Sequence, residues 1–198
     1  MVNPQREITH VVQKLTGITQ NMVRTATKFH EIAKRIVEIT QNTTVVGHNV
    51  DFDYRMLRQS FSALGFEFER ETIDTIPLAR KLIPEEKSYS LSKLCKSIGI
   101  PLTEKHRAGG DARATLDLFK LLMLKDSSSE IIQKQQDEAR AKSDLNRIKK
   151  LIETLPSKKG LIYFQDEKGK FLHVDFATDL YRNAKSFLNS KAKKWNVI

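Results

Sequence analysis

Cysteine occurs once, at Cys95, so the chain closes no disulfide within itself. A reducing compartment, the cytoplasm, is the expected setting. No apolar run approaches the roughly 20 residues needed to cross a bilayer. The first residues, Met1-Val2-Asn3-Pro4-Gln5-Arg6, lack the apolar segment of a secretion signal. No membrane partner is expected. Internal repeats and low-complexity tracts are also missing. What is present is a globular composition, 39% hydrophobic and 29% charged over 198 residues. That is enough for one good-sized domain, or one domain plus a fragment. The net charge is +10, unevenly spread. Residues 1–130 hold 19 Lys and Arg against 16 Asp and Glu, and residues 131–198 hold 15 against 8. Such a chain suits a polyanionic partner such as nucleic acid, although a solvated lysine-rich surface explains the charge equally well.

The organising stretch is Val45-Val46-Gly47-His48-Asn49-Val50-Asp51-Phe52-Asp53. It reads as a short β-branched strand (43–46), a polar turn, and a helix from about Phe52 to Leu64 with Phe52, Met56, Phe61 and Leu64 near one face. Before it, Leu15-Thr16-Gly17-Ile18-Thr19 is a turn between short helical pieces, and a helix follows Thr27, which can cap it. After it come a strand over 71–76, a helix opened by Pro77, and a short helix closed by Gly99. A polar loop, 101–110, precedes a helix expected to bury Ala112, Leu116, Phe119, Leu122 and Met123. This alternation predicts an α/β layer fold. Ser127-Ser128-Ser129-Glu130 predicts a capping box opening a long charged connector helix to about Thr154. Last come a β-hairpin (Gly160–Phe164, Phe171–Val174), a helix over 178–188, and a basic tail with Trp195.

Asp53 and Asp111 each stand at a helix start. Taken singly, each is most simply a carboxylate complementing the helix dipole, and Asp51 serves that purpose as well as Asp53. His106 alone is a surface loop histidine. Together they form a different set. Two carboxylates are hard oxygen ligands suited to Mg²⁺ or Mn²⁺. A histidine five residues before the second can take a proton from water near neutral pH. Metal-assisted phosphodiester hydrolysis uses these parts.

His48-Asn49-Val50-Asp51-Phe52-Asp53 resembles the second motif of the DnaQ-like (DEDDh) 3′–5′ exonucleases, the family of the DNA polymerase III epsilon subunit. His106-Arg107-Ala108-Gly109-Gly110-Asp111-Ala112 resembles its third motif. The resemblance covers residues 1 to about 125. It implies a ribonuclease H-like fold and release of nucleoside 5′-monophosphates from a 3′ end, with DNA rather than RNA as the expected substrate. It also implies Asp53 and Asp111 as metal-site carboxylates in a two-metal Mg²⁺ or Mn²⁺ site, and His106 as general base. Asn49, Thr16 and Gly17 would line the nucleotide path, and a polymerase or repair complex would be the partner.

The family's first motif, an Asp-x-Glu on its first strand, is absent from the sequence. An N-terminally shortened domain is therefore expected, lacking its first strands, exposing a strand edge, and inactive by itself. Leu155 to Leu188 resembles the start of a GIY-YIG endonuclease domain of the UvrC kind, in degenerate form. Ile162 stands where a motif tyrosine is expected, His173-Val174-Asp175 replaces a Tyr-x-Gly, and Asn183 replaces an arginine. No catalytic role is expected there. The implied organisation is an incomplete exonuclease domain (1–125), a helical connector (126–154), and a small α+β hairpin-helix remnant (155–198). A non-catalytic nucleic-acid- or partner-binding protein of the same fold is the alternative.

Overall fold

The computed structural model describes residues 1–102, 108–166 and 169–191, without the side chains of 190 and 191. The chain forms two compact units, Met1–Gln136 and Asp137–Ile198.

In the first unit, β1 (Thr44–Gly47) and β2 (Glu71–Asp74) pair in parallel, with Val46 opposite Ile73 and Gly47 opposite Asp74. Short helices α1 (His10–Thr16) and α2 (Gln20–Arg24) lead to α3 (Phe29–Thr40), and α4 (Val50–Ser62) connects the two strands. α5 (Thr75–Leu82), α6 (Leu91–Ser97) and α7 (Ala108–Lys125) follow β2. Ile73, Leu78, Ala79, Ile83, Leu94, Leu118 and Leu122 form one buried cluster. Ala33, Phe61 and Phe68 form a second, in which the Phe61 and Phe68 rings stack at 4.5 Å. The expected α/β layering is present. Among the described residues β1 has one strand partner, and all four of its residues are half-buried.

Several local expectations change. Thr27 does not cap α3. The helix starts at Phe29, and the Glu31 carboxylate accepts the Lys28 backbone N–H at 3.0 Å. Glu130 does not close a capping box with Ser127. Instead the buried Asp126 carboxylate accepts the N–H groups of Ile131 and Ile132 at the start of α8 (Glu130–Glu153). A carboxylate satisfies two orphan donors where a serine satisfies one. α4 buries Val50 and Phe61, while Phe52 and Met56 are 52% and 40% exposed. α7 buries Ala114, Leu118 and Leu122, whereas Ala112, Leu116 and Met123 are exposed and Phe119 is half-buried. α7 is leucine-rich around its circumference, so periodicity alone selects no single stripe.

In the second unit, the antiparallel hairpin β3 (Gly160–Gln165) and β4 (Phe171–Ala177) packs with α9 (Leu180–Lys191). Ile152, Ile162, Ala177, Ala184 and Leu188 form its core, with Leu145 and Ile148 of α8 against it. α8 thus contributes Ile131 and Ile132 to the first core and its later turns to the second. Trp195 lies outside the described residues.

Candidate functional site

The site begins at the turn between β1 and α4. Gly47 allows a close approach. A Cβ there would stand 2.9 Å from Val50 Cβ, too near for any side chain. Asn49 takes a left-handed conformation (φ 68°), which asparagine tolerates better than most residues. Its side chain does not cap α4. The cap comes from the neighbouring strand instead. Asp74 Oδ1 accepts the Asn49 N–H and Asp74 Oδ2 the Val50 N–H, each at 3.1 Å, while Oδ1 also takes the Ile76 N–H at 2.8 Å. One carboxylate therefore ties the starts of α4 and α5 to the end of β2. Hydrogen bonds to a charged group are worth about 1.5–3 kcal/mol each.

His48 fixes the turn from its other side. Nε2 lies 2.8 Å from the Tyr89 carbonyl and Nδ1 lies 2.8 Å from Thr75 Oγ1. A carbonyl only accepts, so Nε2 carries the proton, and Nδ1 of the neutral ring accepts from the threonine hydroxyl. Burial lowers the His48 pKa from its usual 6.5, against the opposing pull of the Tyr89 carbonyl and the Asp74 charge. The neutral ring is the folded form's preference. As pH falls below about 6.5 the unfolded chain takes up this proton first, so stability is present above that pH and is lost on acidification. The urea midpoint is expected to fall more steeply between about pH 7 and pH 5 than that of His48→Gln. Parallel profiles for the two proteins would refute this.

This scaffold sets Asp53 in the first turn of α4 and Asp111 in the first turn of α7. Both helices pack on β1. Asp53 is exposed and Asp111 half-buried. Neither side chain has a hydrogen bond or ion pair among the described residues. Partial burial raises the Asp53 carboxyl above its usual 3.8 with no counter-charge to offset it. Burial, followed by the charges of Asp111 and Asp117, raises the thiol of Cys95. His106 lies outside the described residues. Asn49 is exposed beside the turn. Thr16 ends α1, and Gly17 closes that helix at φ 69° by donating to the Gln13 carbonyl. Thr16, with Val2, Ile8, Val12 and Ile18, lines a cavity of about 460 Å³.

Hard oxygen donors without protein partners suit a divalent cation in kind. Among the described residues no group of three or more His, Cys, Asp or Glu comes together to hold one. His48, a candidate turn residue from the sequence, holds the turn together with Asp74, Thr75 and Tyr89. The strand expected over 71–76 ends at Asp74, which caps α5, so that helix opens at Thr75 and Pro77 is its third residue rather than its first.

Residues 1–119 match the Exonuclease family (RNase_T). A DNA polymerase III PolC-type protein of Clostridium perfringens is 35% identical over 119 residues, which cover 60% of this chain and 8% of that protein. A 3′-5′ exonuclease DinG of Staphylococcus haemolyticus is 36% identical over 126 residues, 63% of this chain and 14% of that protein. The chain thus spans well under a fifth of the length of these curated relatives. The solved structure of Exonuclease X in complex with 5′ overhanging duplex DNA aligns with a TM-score of 0.53 at 27% identity, covering 64% of this chain and 72% of that one. The paired strands, the helices around them and the match over 1–119 place this chain in the Exonuclease (RNase_T) family, alongside 3′–5′ exonuclease domains.

Proposed function

We propose that residues 1–119 act as a 3′–5′ exonuclease module on DNA, with Asp53 and Asp111 as carboxylates for Mg²⁺ or Mn²⁺ and His106 as general base. The observation that carries this reading is the family match together with two carboxylates, unpaired among the described residues, at the starts of helices packed on the same strand. A bound divalent cation would polarise the scissile phosphate and lower the pKa of an attacking water. The chain's own groups would do the remainder. His106 would take the proton, Asp74 and His48 would hold the turn that presents Asp53, and Asn49 with Thr16 and Gly17 would guide the terminal nucleotide.

No Asp-x-Glu occurs anywhere in the 198 residues, which leaves two of the four carboxylates that the family resemblance implies. The 198-residue protein alone is therefore expected to release nucleoside 5′-monophosphates from 3′-labelled single-stranded DNA at or near background in Mg²⁺ or Mn²⁺. Strong hydrolysis that is abolished by EDTA and by Asp111→Ala would overturn the inactivity and leave the site assignment standing. Hydrolysis indifferent to both would overturn the site assignment. The module would work in the cytoplasm beside a polymerase or repair protein. The non-catalytic alternative is favoured by the missing Asp-x-Glu, and it expects salt-sensitive DNA affinity that no divalent cation alters.

A further inference from the structure

The second unit leaves an apolar sheet face uncovered. One face of the hairpin packs on α9, where Phe164 stacks on Phe187 at 4.0 Å. The other carries Leu161 and Tyr163 of β3 and Phe171, Val174 and Phe176 of β4, all between 51% and 64% exposed. Leu161 pairs with Phe176 and Tyr163 with Val174, so these side chains share one face. The Tyr163 and Phe171 rings meet edge to face at 5.5 Å and 72°. An exposed apolar patch of this kind marks an interaction surface.

The charge around it indicates the partner. Residues 137–198 hold 14 Lys and Arg against 8 Asp and Glu, a net +6. Lys158 and Lys159 enter β3 and Lys170 enters β4, all exposed. The described hairpin carboxylates are engaged off this face. Asp166 accepts the Lys170 backbone N–H in the turn, and Asp175 accepts from Asn183 of α9. A second copy of the chain would bring two strongly positive units together, which repel. Bases stacked on aromatic rings with phosphates near lysines satisfy both features, and only a single strand can splay its bases onto such a surface.

We propose that the hairpin face of Leu161, Tyr163, Phe171, Val174 and Phe176 binds single-stranded nucleic acid by base stacking. It is independent of the Asp53 and Asp111 site. The test is fluorescence anisotropy of the full chain with labelled oligothymidine of about twenty nucleotides, in EDTA so that neither metal nor hydrolysis enters. The variant carrying Tyr163→Leu, Phe171→Leu and Phe176→Leu keeps the apolar area and removes the rings. It is expected to bind at least tenfold more weakly, on the order of the loss of one stacking contact or more, with unchanged far-UV circular dichroism. An abasic strand of equal length is expected to bind the wild type at least tenfold more weakly as well. Wild-type affinity in the leucine variant, equal binding of the abasic strand, or no binding by the wild type would each overturn the proposal. So would self-association of the wild type that the leucine variant retains and that competes with the oligonucleotide. The exonuclease reading has its own test with Asp111→Ala and divalent metal; metal-free DNA affinity is also what the non-catalytic alternative expects, and the leucine variant decides whether this face carries it.

Discussion

Leu118→Ala is expected to destabilise the first unit by about 2–5 kcal/mol, the range for removing a fully buried leucine side chain. Leu118 is 0% exposed and belongs to the cluster with Ile73, Leu78, Ile83 and Leu94, which come from β2 and from the chain leading through α5 and α6. Those neighbours sit on several elements and cannot all close over the gap, so the loss includes a cavity as well as transfer free energy. With a urea dependence of about 1–3 kcal/mol per molar, the midpoint should fall by roughly 0.7–5 M. Leu116→Ala is the comparison. That residue lies on the same helix, two positions earlier, and is 52% exposed. Its removal should change stability by no more than about 0.5 kcal/mol. The pair decides which side of α7 is buried, and hence how Asp111 is presented from the helix's first turn. If Leu116→Ala cost as much as Leu118→Ala, the buried face of α7 would be misassigned.

The contrast between Leu116 and Leu118 also shows what a sequence can reveal here. Element identity was legible, because strand 44–47 is β-branched, Pro77 and Gly99 punctuate helices, and the hairpin alternates around a turn. The family was legible from the resemblance of stretches 48–53 and 106–112 to two family motifs. Buried faces were not. In α7, leucines at 116, 118, 121, 122 and 124 satisfy more than one helical stripe, and the choice rests on contacts with β1, α5 and α6 that are distant in sequence. In α4, Phe52 and Met56 lie four residues apart and look like a core pair, yet Tyr54, Leu57 and Phe61 face the cluster with Phe68. Capping was misread for a similar reason. Thr27 and Ser127 are local candidates, while Asp74 caps α4 from 24 residues away. The role of Asp74 arises because β1 and β2 pair with Gly47 opposite it, a register no local pattern encodes. Asp53 and Asp111 were singled out by the family resemblance; taken singly, each is explained as a helix-start carboxylate, and among the described residues neither side chain is paired.

Mn²⁺ is expected to raise the melting temperature of the protein, and Asp111→Ala is expected to remove that rise. A ligand that binds only the folded chain stabilises it by RT ln(1 + [L]/Kd), which is about 1.4 kcal/mol at a tenfold excess over Kd. For a chain of this size each kcal/mol moves the midpoint by about 2–4 °C, so the rise should be roughly 3–6 °C. Sodium at matched ionic strength should produce none of it, because a site of two carboxylates selects divalent charge while screening acts on the whole surface. Asp53→Asn sharpens the test, since the two states of the protein should respond in opposite directions. Burial raises the Asp53 pKa, so the folded chain holds that proton more tightly than the unfolded chain. Stability from this proton is therefore lost as pH rises from about 3.8 through the raised value, and near neutrality the exposed carboxylate adds little to stability. Without metal, Asp53→Asn should then melt no lower than the wild type. With Mn²⁺ it should fail to gain. A residue that served only to stabilise its helix would do the reverse, lowering the metal-free melting temperature and leaving the Mn²⁺ increment intact, and that result would remove Asp53 from the site.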